Sequence, residues 1–351
     1  MNIVFAYFGK SAPDYLIKNL NLHAMRFREH QVWFLTNSEM WISGDLDKGV
    51  KVFHIDKYQK SDAMIEIFGH ISAEKISFRN GYWQLTILRI LAVQDFQEKF
   101  QEPLIHVEGD VLLMPNFPFE KLKSVELVSY PLVNRGYGCA STLYSPSNRE
   151  LSLLRDFFQK EIQTNNSLTD MDLLGMYQES HPERVFCLPS APRDPDAFND
   201  WVSGHEKDLL SNGFEFFGGL FDGMTIGQFL LGEDPMNHFG RRPIYRSQSH
   251  HSYAPSRSTF GWEESGPYIK FRDCRFNIYS LHVHSKDLRV FDKTSGMDLV
   301  RKRVLEKSDC VKYEMIPRLM LLLLPSLIEV KCREVLRKVK KFLKSRRLLK
   351  V

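Results

Sequence analysis

Residues 104–114 read LIHVEGDVLLM, an apolar run interrupted by two carboxylates one residue apart. The apolar stretch 104–107 predicts a short strand, and Glu108-Gly109-Asp110 would then lie just beyond its carboxyl end. In an open α/β sheet, ligands collect at that end of the strands. Alternation along an extended chain puts Glu108 and Asp110 on one side, and Gly109 between them lets a ligand or a second backbone come close. Two hard oxygen donors with this reach suit Mg²⁺ or Mn²⁺, which in turn can neutralise a diphosphate.

Outward from this motif, short apolar runs alternate with amphipathic segments, the pattern of a βαβ layered sheet. Residues 3–8 predict a first strand. Residues 14–28 predict a helix, with Leu16, Leu20, Ala24 and Phe27 at helical spacing, and 31–36 and 50–55 predict two more strands. Residues 82–100 are apolar nearly all round, which predicts a helix buried between the sheet and another layer. Pro103 marks its end. Downstream, 126–130 and 140–144 predict strands, 150–163 a helix and 278–283 a last strand. The region 187–268, rich in Pro, Gly and Ser, reads as loops and short helices around a site.

With 351 residues, 43% of them hydrophobic and 26% charged, the chain can bury a core without disulfide or metal staples. Its five cysteines are odd in number and scattered, with no Cys-x-x-Cys pair, which excludes a disulfide framework and a zinc ribbon. Residues 331–351 hold ten Lys and Arg against one Glu, so the first 330 carry 37 basic and 42 acidic side chains. That net −5 argues against a nucleic-acid partner. In 331–351, Val335, Leu336, Val339, Phe342, Leu343 and Leu349 form an apolar stripe among basic residues, a helix suited to an anionic membrane surface. The Leu-rich 315–328 is too short to span. No signal-peptide pattern opens the chain, so the expected location is cytoplasmic, peripheral on the inner face of a membrane.

Three further clusters could carry chemistry. In LHVHSK, residues 281–286, His282 and His284 sit at i and i+2, so they face one way on a strand and can reach a metal, with Lys286 beyond to touch phosphate. In FGGLFDGMTIGQFLLG, residues 217–232, glycines permit close backbone packing around Asp222 at a loop-to-helix junction, where it would cap the helix. Asp170 and Asp172 of TDMDL, residues 169–173, are the competing carboxylate pair, Asp170 also fitting a helix N-cap. Trp201, Tyr253 and Trp262, in the irregular region, are candidate ligand-stacking rings.

With these motifs in hand, residues 1–290 resemble the GT-A class of nucleotide-sugar-dependent glycosyltransferases, and within it the bacterial capsule and lipopolysaccharide sugar transferases. The resemblance implies an α/β GT-A fold, a Rossmann-like mixed sheet flanked by helices, over residues 1–300, followed by a helical membrane-associating tail over 301–351. It makes Glu108-Gly109-Asp110 the metal motif, with His282 or His284 as a further ligand of Mn²⁺ or Mg²⁺. Arg89 would be the helix cation near phosphates or sugar, Lys286 would touch the diphosphate, and Ala6-Tyr7-Phe8 would cradle the nucleobase. Asp222, or the pair Asp170 and Asp172, would face the acceptor. The implied activity is transfer of a hexose from a nucleotide-sugar donor, UDP-sugar first, to a glycan or glycolipid acceptor, the His-Lys ending favouring retention. Competing expectations are a metal-dependent nucleotidyltransferase or phosphohydrolase, which would want a phosphate-cradling Gly-Lys loop not found in the sequence, and a catalytically inactive membrane-bound adaptor.

Overall fold

The computed structural model describes residues 1–57, 70–71, 81–234, 238–239, 242–243, 251–271 and 274–308. The segments read as membrane-associating, 315–328 and 331–351, lie outside the described residues. Those described belong to one compact unit, Met1–Ser308, whose last helix spans the boundary expected at residue 300. Among them, no helix is long and apolar enough to cross a membrane.

The chain order is β1 (Asn2–Ala6), α1 (Asp14–Arg26), β2 (Gln31–Thr36), β3 (Val50–His54), α2 (Tyr82–Phe100), β4 (Leu104–Val107), β5 (Val111–Leu113), α3 (Phe119–Lys123), β6 (Val128–Asn134), β7 (Tyr137–Gly138) and β8 (Thr142–Ser145). There follow α4 (Asn148–Thr164), α5 (Asp170–Ser180), β9 (Val185–Leu188), α6 (Gly204–Leu210), α7 (Phe214–Phe217), β10 (Gly219–Phe221) and α8 (Thr225–Leu231). Last come β11 (His238–Phe239), β12 (Arg242–Pro243), β13 (Thr259–Glu263), β14 (Gly266–Phe271), β15 (Cys274–His282) and α9 (Gly296–Ser308).

The main sheet runs β3-β2-β1-β4-β8-β6-β7, with β9 beside β6. β3, β2, β1 and β4 are mutually parallel, and β8 is antiparallel to β4 and β6. This is the mixed α/β sheet flanked by helices that the sequence leads one to expect. Side chains of β1 alternate between two apolar cores, Val4 and Ala6 facing one and Ile3 and Phe5 the other, because successive residues of a strand point to opposite faces. Strand order reverses between β1 and β4, and a crevice opens beyond their carboxyl ends at such a reversal.

Helix α2 fills the first core with Ile87, Ile90, Leu91, Val93 and Phe96. Its fully buried Gln97 is tolerated because its amide is satisfied: Nε2 donates to the carbonyls of Glu102 and Ser145, and Oε1 accepts from the Ser145 hydroxyl. The helix ends at Gln101, in the left-handed region at φ 54°, just ahead of Pro103.

A second sheet, in the order β10-β15-β14-β13 with β5 against β15, occupies part of the region read from sequence as loops. β10 has three residues and its partner lies more than fifty positions away, so β10 carries no local strand signal of its own. β15 is also longer than expected, Cys274–His282.

Among the described residues, the other edge of β5 faces no strand. It rests instead on α1, where Asn19, His23 and Arg26 share one face at helical spacing. Asn19 Nδ2 donates to the carbonyls of Gly109 and Val111 at 3.1 and 2.8 Å, and Arg26 donates to the Leu113 carbonyl. The Leu113 amide donates to His23 Nε2 at 3.2 Å, and His23 Nδ1 lies 2.9 Å from the Asn19 carbonyl. Those contacts fix a neutral imidazole protonated at Nδ1.

Burial, with the Arg26 charge adding to it, pushes His23 down to about 3. The folded protein therefore binds fewer protons than the unfolded chain below the ordinary histidine value. The stability this group confers is complete above about pH 6.5 and is lost as pH falls from there toward 3. By pH 5 the loss is about 2 kcal/mol. Urea midpoints at pH 7.5 and 5 should drop by more in the wild type than in His23→Gln, and equal drops would remove His23 as the cause.

Candidate active site

The carboxylates of the acidic motif come first. β4 ends at Val107, and the Glu108 amide donates to the Ser141 carbonyl at 3.1 Å, so the motif turns away from the sheet at the switch point between β1 and β4. Asn19 holds the Gly109 carbonyl from below. β5 then pairs antiparallel with β15, His282 opposite Val111, and the Val283 amide donates to the Asp110 carbonyl at 2.7 Å. This ladder joins the acidic motif to an imidazole more than 170 residues away.

His282 Nε2 lies 3.2 Å from Asp110 Oδ1 and 3.5 Å from Glu108 Oε2. Its Nδ1 faces the Gly223 carbonyl at 3.1 Å, which assigns that nitrogen the proton and aims the other at the carboxylates. Burial opposes a charge on His282, but Asp110 and Glu108 outweigh it and hold the imidazole well above its ordinary range. Asp110 is held below the usual carboxylate range: burial acts against ionisation and the neighbouring His282 overcomes it. Two acids and an imidazole nitrogen converging in this way fit a divalent cation, with the outer nitrogen of the imidazole already oriented by a carbonyl.

Arg89, on α2, donates to Glu108 Oε1 at 2.6 Å and lies 3.9 Å from Asp170 Oδ2. Both carboxylates are nearly buried, so this guanidinium is their counter-charge. Thr86, one turn earlier, donates its hydroxyl to Asp170 Oδ1 at 2.9 Å. Burial pushes Asp170 up to about 6, with Arg89 pulling the other way.

Asp170 is the first residue of α5, not its cap. Thr169 caps the helix and Asp172 completes a capping box, its Oδ2 accepting from the Thr169 amide and hydroxyl at 2.8 and 2.6 Å. Asp172 is thus engaged at the helix end, while Asp170 lines the cleft.

Asp222 is 1% exposed and lines no part of the cleft. Its Oδ1 accepts from the Ile226 amide at 2.9 Å, and its Oδ2 from the amides of Gly227 and His282 at 2.7 and 2.9 Å. This corrects the reading of Asp222 as an acceptor-facing carboxylate: it ties β10 and the start of α8 to the backbone of His282. Burial raises its carboxyl, and the His282 and Gly227 amides favour the ionised form. A Cβ at Gly227 would sit 2.0 Å from the His282 carbonyl oxygen, so only glycine admits this approach.

His284 stacks on His282 with ring centroids 3.8 Å apart, and its Nε2 is buried with no hydrogen-bond partner among the described residues. Burial and the neighbouring His282 hold it neutral, well below the ordinary value. Lys286 adopts a left-handed φ of 50° and sends its ammonium to within 3.6 Å of Asp234 and 5.8 Å of the Tyr15 ring centre.

These groups line a cleft of about 340 Å³ that takes in Tyr7, Tyr15, Tyr82, Trp83, Arg89, Glu108, Asp110, Cys139, Asp170, His282, His284 and Lys286. A larger recess of about 440 Å³, bounded by Phe27, His30, Phe117 and Tyr279, shares none of these residues and holds no comparable cluster. Of the three expected nucleobase contacts only Tyr7 reaches the cleft, since Ala6 and Phe8 point into the apolar core. The rings expected from the irregular region, Trp201, Tyr253 and Trp262, also lie elsewhere. Tyr15, Tyr82 and Trp83 take their place, from helix starts whose apolar spacing reads as core. Cys139 carries no sequence signal at all.

A scan against protein-family models gives no match, and neither does a search of curated protein sequences. Solved structures similar to this chain include the PaToxG glycosyltransferase, 17% identical with a TM-score of 0.35 over 51% of this chain and 68% of that one. Others are the galactosyltransferase LgtC in complex with donor and acceptor sugar analogues, at 11%, 0.38, 60% and 84%, and mouse xyloside xylosyltransferase 1, at 10%, 0.36, 60% and 93%. All three are glycosyltransferases.

Proposed function

We propose that the chain is a divalent-metal-dependent glycosyltransferase that moves a hexose from a nucleoside-diphosphate sugar, UDP-sugar first, to a glycan or lipid-linked acceptor with retention of configuration. The reading is carried by one observation, the convergence of Glu108, Asp110 and His282 Nε2 at the switch point of the sheet, in a cleft that also holds Arg89 and Lys286. Mn²⁺ or Mg²⁺ held by Asp110, Glu108 and His282 supplies a Lewis acid that offsets the charge growing on the departing diphosphate.

The chain's own residues do the rest. Arg89 pins Glu108 so that its second oxygen stays directed at His282. Lys286 places a cation at the mouth, where it can leave Asp234 for a phosphate oxygen. Tyr7, at the end of β1, offers a ring to the nucleobase. Asp170 is the cleft carboxylate on the acceptor side, held by Thr86 and Arg89 and able to orient a hydroxyl. In a retaining transfer the acceptor proton passes to the leaving phosphate, so Asp170 need not act as a base. The basic segment 331–351 would bring the enzyme to an anionic membrane carrying a lipid-linked acceptor.

The test is thermal denaturation with Mn²⁺ and UDP, GDP or CDP in turn, followed by hydrolysis of the matching nucleotide sugars. One nucleotide at a hundredfold excess over its Kd should add about 2.7 kcal/mol in the presence of metal only. Indifference to every nucleotide, or release of inorganic phosphate from the nucleotide without transfer or loss of sugar, defeats the reading.

A further inference from the structure

Cys139 is 3% exposed, yet it borders the cleft and belongs to neither apolar core, unlike the equally buried Cys187. Its placement follows from the backbone. The Cys139 amide donates to the Pro131 carbonyl at 2.9 Å, and two residues later the Ser141 carbonyl accepts from the Glu108 amide, so residues 139–141 run alongside the acidic motif. The thiol donates to the Gly223 carbonyl at 2.8 Å, the same oxygen that accepts from His282 Nδ1. One carbonyl thereby gathers the sulfur and the imidazole. Ligand atoms of Glu108, Cys139 and His282 all lie within 4.8 Å of one another, and Asp110 reaches the same imidazole.

We infer that Cys139 is a sulfur ligand of the cation site formed with Glu108, Asp110 and His282, giving that site a preference for Zn²⁺ and Co²⁺ over Mg²⁺. This rests on the cation site of the proposed function but not on sugar transfer. On binding, the thiol loses its proton to water and the freed sulfur lone pair forms the metal–sulfur bond. No electron transfer is involved, and the Gly223 carbonyl keeps its bond from His282. Thiolate favours softer cations, whereas a site of carboxylates alone suits Mg²⁺.

The experiment titrates the full-length protein with Co²⁺ and reads near-ultraviolet thiolate-to-cobalt charge transfer. One equivalent should give the band in the wild type and in Cys187→Ser, and none in Cys139→Ser. In Cys139→Ser the ratio of Zn²⁺ to Mg²⁺ affinity should fall about tenfold or more. Zinc-edge X-ray absorption of the wild type needs no variant, and should show a sulfur shell at about 2.3 Å. Cobalt binding without charge transfer, a band surviving in Cys139→Ser, or a zinc shell of nitrogen and oxygen alone overturns the inference while leaving the cation site standing. Failure of all these cations to bind overturns both, and sugar transfer is judged separately by the nucleotide-sugar assay.

Discussion

Asp110→Asn should lower nucleotide-sugar turnover on the order of 10³-fold, equivalent to about 4 kcal/mol of transition-state stabilisation. Asparagine keeps the shape of the side chain but removes the charge that holds His282 Nε2 at 3.2 Å. The half-saturating Mn²⁺ concentration should rise in the same variant, because a neutral amide is a poorer ligand for a hard cation. The contrast is Asp172→Asn. That carboxylate closes a capping box at the start of α5, so its loss should cost up to about 1 kcal/mol of stability and leave turnover near wild type. Turnover and manganese dependence measured side by side decide the matter. Wild-type values in Asp110→Asn would remove the acidic motif from the chemistry.

Arg89→Met should destabilise the fold by about 3–5 kcal/mol, the range for removing one partner from a buried charge cluster. Arg89 bonds Glu108 at 2.6 Å and lies near Asp170, and both carboxylates are almost wholly covered. Methionine fills comparable space, leaving Asp170 without its counter-charge and Glu108 with only the His282 imidazole. Arg89→Lys restores the charge but not the planar fork, so it should recover only part of the loss. Urea midpoints of the three proteins give the comparison. A methionine variant within 1 kcal/mol of wild type would mean that Glu108 and Asp170 need no such partner.

The parts of this site legible in the sequence are those encoded locally. Glu108 and Asp110 show themselves because an apolar strand stops at them, and His282, His284 and Lys286 because alternation groups them, whereas Arg89 stands out only through the family resemblance. The first half of the main sheet is legible for the same reason, its strands and helices being bounded by periodicity. What escaped depends on which backbones meet. The second sheet is assembled around β15, legible in part at 278–283, from a three-residue strand and partners far along the chain that look like loop. Asp222 had two readings, and only the arrival of the His282 amide shows where its second oxygen goes. Cys139 reaches Glu108 through pairing beside β8 and His282 through a shared carbonyl, and neither is written in its neighbours. The sequence points to aromatic residues of the irregular region, whereas those lining the cleft come from the loop after β1 and the first turns of α1 and α2.

The way α1 meets β5 bears on how the molecule avoids its own kind. An unpaired rim of a sheet is a template on which another chain can add a strand, and proteins blunt such rims in order to remain apart. Asn19, His23 and Arg26 consume the outward-facing amide of Leu113 and the carbonyls of Val111 and Leu113, so a visiting strand would find no free group there. The same three side chains that steady the approach to the acidic motif also deny that border to aggregation.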